Sequence, residues 1–229
     1  MASESIYSDG RYIALNPDWH AGRQPWKARH VLKGLNAAGL APKTICDVGC
    51  GTGIAVAIVA EELGAQRAVG FEPSSDAPPD DAALTRVEFR REDATKASET
   101  FNCAMMLDVF EHVEDMFQFL RDARSLSDYF VFHIPLDANC LTVLRSGFMG
   151  PRRSLGHLHY FTDESACATL RDCGYDIIHS HFTKAGWDGP GRNAWSPLNL
   201  ARRIVYAVSP RFAHRLLGGL SLLVVARTR

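Results

Sequence analysis

Nothing in this sequence is long enough and apolar enough to cross a bilayer. Its longest apolar run, Leu216 to Ala226, is broken by glycines and falls well short of the roughly 20 residues a membrane helix needs. An excess of charge is missing too: 25 Lys and Arg stand against 26 Asp and Glu, a formal net charge of −1. That balance argues against recruitment to nucleic acid by bulk positive charge. Cysteine pairs are absent in the sense that matters, since the six cysteines (46, 50, 103, 140, 167 and 173) show neither a C-x-x-C pair nor a disulfide-framework spacing. Several lie inside apolar runs, where a free cysteine behaves as a small hydrophobe. With Met1 to Gly10 polar rather than signal-like, a cytoplasmic, reducing location is expected. Internal repeats and linker composition are also lacking, so residues 1–229 are expected to form a single α/β domain.

What is present is concentrated at residues 45–53, Ile-Cys-Asp-Val-Gly-Cys-Gly-Thr-Gly. A short apolar strand, Thr44 to Val48, runs into a glycine-rich turn, and a helical apolar run, Ile54 to Leu63, follows. Glycines at 49, 51 and 53 allow positive φ and remove the Cβ atoms that would block a close approach. The turn also delivers free N–H groups at the start of the next helix. A dinucleotide fingerprint, G-x-G-x-x-G/A, fails here because Ile54 stands three residues after Gly51. Asp47, two residues before the first glycine, would repel a pyrophosphate and suits a cationic ligand carrying ammonium and sulfonium groups.

The Asp-Val-Gly-Cys-Gly-Thr-Gly segment resembles motif I of the class I S-adenosylmethionine (SAM)-dependent methyltransferases of the small-molecule type. The resemblance covers roughly residues 43–182 and implies a doubly wound, Rossmann-like sheet of seven strands. That sheet would be mostly parallel with an antiparallel last strand and helices on both faces. It implies SAM as cofactor, held around Asp47, Gly49, Cys50, Gly51 and Gly53.

Taken in order, residues 1–40 read as an irregular arm rich in Tyr7, Tyr12, Asn16, Trp19, His20 and Trp26, then a helix from Pro25 to Ala38. In this family such an extension covers the cofactor or substrate mouth; packing on the sheet edge is the competing role. The second strand, Ala68 to Phe71, ends at Glu72-Pro73, near the ~20-residue offset at which a carboxylate meets a ribose hydroxyl pair. Residues 74–85 read as a loop or one short turn, and Val87 to Arg90 as the third strand. Asp93-Ala94 resembles the segment whose acid accepts from the adenine amino group. Phe101 to Leu107, apolar throughout, reads as a strand buried on both faces. The Leu107-to-Asp115 stretch that follows resembles the family's fourth motif, with Asp108 and Val109 beside the cofactor. Glu111 and His112 then act in catalysis or simply fix the loop.

Strand five, Tyr129 to Ile134, leads into a long loop, 136–161, that carries Arg145, Arg152, Arg153, His157 and His159. Loops of that length in a compact domain are usually functional, so it is the candidate acceptor site, together with residues 183–220. An alcohol acceptor needs a base that titrates near neutral pH, and histidine is the side chain suited to it. His159 is the first candidate, His157 the second and His112 the third. Metal use stays open and no metal ligand is assigned: His157 and His159 could ligate, but no third ligand at metal spacing accompanies them. Helix Asp163 to Cys173 follows, capped by Thr162 with Ser165 at its third position. Strands Tyr175–Phe182 and Leu222–Ala226 close the sheet, with helices Pro197–Val208 and Pro210–Leu217 between them.

Seven arginines and no acid lie between Gly189 and the C-terminus. With Arg145, Arg152 and Arg153 they point to a small-molecule acceptor bearing phosphate or carboxylate, such as an acidic sugar or glycan precursor. A solvated basic helix face is the competing reading. Three other functions stay open. One is a non-catalytic SAM-binding regulatory subunit and one a nucleotide-dependent oxidoreductase, which Asp47 and Ile54 disfavour. The third is a nucleic-acid methyltransferase, disfavoured because the tetrapeptide after strand four is Asp108-Val109-Phe110-Glu111. Replacing Gly51 with Val should abolish SAM binding in a folded protein, and Glu72→Ala should weaken it by about 1.5–3 kcal/mol. Calorimetric titration checks both; tight binding by both variants contradicts the assignment of residues 45–73.

Overall fold

The structure, a computed structural model, describes residues 10–229. Tyr7 and the polar first nine residues lie outside the described residues. The chain opens with helix α1 (Arg11–Leu15) and a 3-10 turn at Ala21–Arg23, then α2 (Gln24–Ala37). Strand β1 (Thr44–Val48) is followed by α3 (Ile54–Leu63), β2 (Arg67–Phe71), α4 (Asp81–Leu84) and β3 (Glu88–Arg90). Next come β4 (Cys103–Leu107), α5 (Met116–Ala123), β5 (Tyr129–Pro135), α6 (Cys140–Leu144) and α7 (Met149–Ser154). The chain ends with α8 (Asp163–Asp172), β6 (Tyr175–Thr183), α9 (Pro197–Val208), α10 (Pro210–Leu217) and β7 (Ser221–Thr228).

The seven strands form one sheet in the order β3-β2-β1-β4-β5-β7-β6. Neighbours from β3 to β5 are parallel, and β7 runs antiparallel to both β5 and β6. The expected seven-stranded, mostly parallel Rossmann-like sheet with an antiparallel last strand is therefore the fold observed. Alternation along the strands loads both faces. Ile45, Met105 and Val131 pack with α2 and α3 through Val31, Leu35, Val56 and Val59. Cys46, Met106, Phe130 and Phe132 face α5 and α8 through Leu120 and Leu170. Strand order reverses between β1 and β4, so their carboxyl ends open the crevice where such sheets bind ligands. At Gly34 a Cβ would lie 2.4 Å from Leu223 Cδ2, so α2 approaches β7 with no room for a side chain. That contact fixes where the N-terminal residues of α2 meet the crevice.

Local signals placed most elements. Thr162 and Ser165 form a reciprocal capping box on α8, and Ser196 and Ser209 cap α9 and α10, each with a proline in the first turn. Three expectations need correction. The arm is not wholly irregular: it contains α1 and a 3-10 turn, separated by Trp19 and His20 with φ of 46° and 56°. Residues 136–161 are not one long loop, because Asn139 caps α6 by accepting from the Thr142 N–H at 2.9 Å, and α7 follows. Strand β4 begins at Cys103, leaving Phe101 in an isolated parallel bridge to Ser127.

Candidate functional site

The turn after β1 carries three glycines with positive φ: 69° at Gly49, 57° at Gly51 and 81° at Gly53. Each conformation disfavours any other residue, and the surroundings tighten the demand. A Cβ on Gly49 would meet Val109 at 3.0 Å, so the loops after β1 and β4 abut directly. A Cβ on Gly51 would meet Gln24 Nε2 at 3.3 Å and Trp19 at 4.0 Å. Gln24, at the start of α2, accepts from the Ala55 N–H at 2.8 Å and donates to the Cys50 carbonyl at 3.4 Å. It thereby fastens the arm to the glycine turn and to the first turn of α3. Trp19 is buried, packing edge-on to Tyr12 at 4.9 Å and clustering with Ala77. The arm thus lies against the glycine turn and the loop after β2.

Asp47 is buried in β1, and its Oδ1 has no hydrogen-bond partner among the described residues. Burial pushes its carboxyl up to about 8, against the pull of Lys27 and with a further push from Glu72. Glu72 lies at the end of β2, with Oε2 accepting from the Gly51 N–H and Oε1 from the Ser74 N–H, each at 3.0 Å. Burial raises its carboxyl as well, although the two N–H groups oppose the shift. Pro73 beside it is exposed. Arg91 braces the same region by donating to the carbonyls of Ser74 and Ala77. Asp93 caps the 3-10 turn Ala94–Lys96, accepting from the Thr95 N–H at 3.0 Å and its hydroxyl at 2.8 Å, while Ala94 is buried. Cys50 is buried with its thiol pushed far up by burial, which excludes it as a nucleophile.

Asp108, at the end of β4, has φ of 63° although it is not glycine. Two partners hold it there: Lys27 Nζ at 2.8 Å from Oδ2 and His133 Nδ1 at 2.5 Å from Oδ1. Burial opposes its charge, but Lys27 and His133 hold the carboxyl well below the usual range. His133 in β5 continues to the Thr183 hydroxyl at 2.9 Å, so the polar line crosses from β4 through β5 to β6. Sequence reasoning missed Gln24, Lys27, His133 and Thr183. A histidine inside the apolar strand Phe130 to Ile134 was the available signal for His133; the pairing with Lys27 depends on how α2 docks.

The three histidine candidates separate. His159 Nε2 lies 2.9 Å from the Val113 carbonyl, so that nitrogen carries the proton and Nδ1 is left as the lone-pair nitrogen. His157 is buried, its Nδ1 2.9 Å from Asp137 Oδ2, and its ring stands edge-on to His112 at 4.9 Å. Burial, then His157, push His112 down to about 3. Burial first and Asp108 second push Glu111 well above the usual carboxylate range. His157 thus meets Glu111 and His112 rather than His159, a grouping across 45 residues that spacing in the sequence did not reveal.

The C-terminal arginines find acids elsewhere in the chain. Arg211 pairs with Asp163 at 3.1 Å, Arg215 with Glu164 at 2.5 Å and Arg229 with Asp176 at 2.8 Å, while Arg202 donates to the Leu217 carbonyl. Much of the basic bias therefore docks α10 on α8 and the C-terminus on β6. Two open clefts, one at Leu40–Lys43 and one at Arg227–Arg229, lie by the amino ends of the parallel strands, away from these groups.

Residues 20–180 match the family described as "Methyltransferase domain". No curated protein matches the chain. Among solved structures it is similar to magnesium protoporphyrin IX methyltransferase from Synechocystis PCC 6803 with bound S-adenosylhomocysteine (SAH). That likeness has 20% identity, 98% of this chain and 91% of that one covered, and a TM-score of 0.61. It is also similar to the N-methyltransferase NodS from Bradyrhizobium japonicum WM9 in complex with SAH, at 16% identity, 96% and 99% covered, TM-score 0.57. A third likeness is to the [4+2]-cyclase SpnF, at 18% identity, 92% and 84% covered, TM-score 0.61.

An acid whose folded-state pKa is raised contributes stability that is present below its unfolded value and lost as pH rises through the folded one. For Asp47 that window runs from its ordinary 3.8 to about 8. Asp47→Asn keeps the shape without the titration, so the ligand-free variant should gain stability over the wild type as pH rises across the window. Its affinity for a cationic cofactor should fall. Thermal unfolding at several pH values, with and without SAM, checks both; parallel curves for the two proteins contradict the assignment.

Proposed function

Since this chain belongs to the class I SAM-dependent methyltransferases, we propose that it transfers the SAM methyl group to an oxygen of a small-molecule acceptor, releasing SAH. The family match carries this reading rather than the fold, because a cyclase shares the fold. The observation that carries the cofactor site is the buried, unpartnered Asp47 beside three positive-φ glycines at the switch point of the sheet. In this reading Asp47 is the counter-charge of the cationic methionine portion, and Gly49, Cys50, Gly51 and Gly53 let it approach. Glu72 spends one acceptor site of each oxygen on the backbone and keeps others for the ribose hydroxyls. Pro73, Asp93 and Ala94 flank the adenine, and Asp108 and Val109 border the methyl group.

The sulfonium is already a good leaving group, so aligning donor and acceptor supplies much of the rate. A hydroxyl acceptor must also lose its proton. His159 Nδ1 suits that step, because the Val113 carbonyl fixes the opposite nitrogen as the protonated one. The acceptor mouth is assigned to 136–161 and 183–220. With Arg211, Arg215 and Arg229 already paired, an anionic acceptor would meet Arg145, Arg152 and Arg153 around α6 and α7. Among the described residues no helix is long and apolar enough to cross a membrane, and all six cysteines are free.

Incubating the purified chain with methyl-labelled SAM and a deproteinised small-molecule extract should place label on an acceptor. On that acceptor His159→Ala should lower kcat by about 10²–10⁴ with SAM affinity unchanged. KM should rise between low and physiological salt. Wild-type kcat in the variant removes His159 from the mechanism, a salt-indifferent KM removes the anionic acceptor, and no labelled product at all contradicts methyl transfer.

A further inference from the structure

The 3-10 turn Phe110–His112 after β4 holds a buried acid. Glu111 is fully buried, and neither carboxylate oxygen has a hydrogen-bond partner among the described residues. The His112 Nε2 atom lies 3.7 Å from Glu111 Oε1, beyond hydrogen-bond reach. We propose that Glu111, His112 and His157 form a binding site for one divalent transition-metal cation.

One ligand atom from each residue lies within 4.8 Å of the other two. That span approaches the separation of about 4 Å between opposite ligands of one ion at bond lengths of about 2.0–2.2 Å. The groups behind these atoms are arranged as metal ligands need. Asp137 occupies His157 Nδ1 at 2.9 Å and leaves Nε2 for the ion, and His112 is hydrogen-bonded to the Gly156 backbone. The two segments are locked together because the Glu111 carbonyl accepts from the N–H groups of Leu158 at 2.8 Å and His159 at 3.1 Å. Two imidazoles and one carboxylate favour zinc, cobalt, iron or manganese over magnesium or calcium.

The ligand set is open on one side. Side-chain exposure is 0% at Glu111 and 6% at His157 but 15% at His112, so coordination positions face outward there. Resting on the methyl-transfer reading, those positions would hold the acceptor oxygen; cation binding itself does not depend on that reading. The other histidine cluster is built differently. His181 spends Nε2 on His30 at 3.4 Å and Nδ1 on His179 at 3.2 Å, which does not gather three nitrogens on one ion.

The test is a Co²⁺ titration of the chelator-treated full chain, followed by visible absorption, with SAM binding measured by calorimetry on the same sample. One Co²⁺ per chain is expected to saturate a d–d band. Glu111→Gln should weaken binding at least tenfold, Asp137→Asn by roughly 10–100-fold, and His181→Ala should change nothing. A chain that gives no saturable band overturns the site, as does a band that survives both Glu111→Gln and Asp137→Asn or is lost in His181→Ala. Asp137→Asn keeps the test decisive if Glu111→Gln does not fold. Loss of the Co²⁺ band with SAM binding intact removes the metal site alone, whereas absent SAM binding with the band intact removes the methyl-transfer reading alone.

Discussion

Burying a carboxylate without a full set of partners costs several kcal/mol, a large part of the 5–15 kcal/mol by which a domain is stable. This chain accepts that cost at the carboxyl ends of β1, β2 and β4, where Asp47, Glu72 and Glu111 are all buried and all raised in pKa. One ammonium, Lys27, reaches into the region, and it is held 2.8 Å from a fourth acid, Asp108. The positive charge in the crevice thus falls short of the acids lining it. A cationic ligand bound there would supply the missing charge, which accounts for buried acids at positions where apolar side chains would cost nothing.

The rest of the site follows from holding those acids in place. Glu72 ties the glycine turn to β2 through the Gly51 N–H, so the cradle's shape depends on one of the acids it contains. Asp108 has a left-handed backbone, and Lys27 and His133 grip both of its oxygens. Lys27 and Gln24 lie one turn apart on α2, which binds the N-terminal segment to the chemistry twice. The close approach at Gly34 sets that helix against β7 and so sets where both side chains arrive.

Much of this was legible in the sequence because it is local. Thr44–Val48, Ile54–Leu63, Pro197–Val208 and Pro210–Leu217 are the spans observed, and each has a glycine, serine or proline at its border. The helices α1, α6 and α7 were hidden because they are short and carry little apolar periodicity. Pairings across the fold were hidden for a different reason. The Asp108–His133 contact depends on strand register, Lys27–Asp108 on helix docking, and Glu111–His112–His157 on a return of the chain 45 residues later. The arginine-rich C-terminus misled in the same way, since its acids sit on α8 and β6.

The central claim is that Asp47 is the counter-charge for a cationic cofactor. Its carboxyl, pushed up to about 8 in the free chain, should lose its proton when the cation arrives. Calorimetric titration with SAM near pH 7, repeated in buffers of different ionisation enthalpy, counts the protons exchanged on binding. The account predicts net proton release from the wild type relative to Asp47→Asn. Equal proton exchange by the two proteins, with SAM bound equally well, would contradict it.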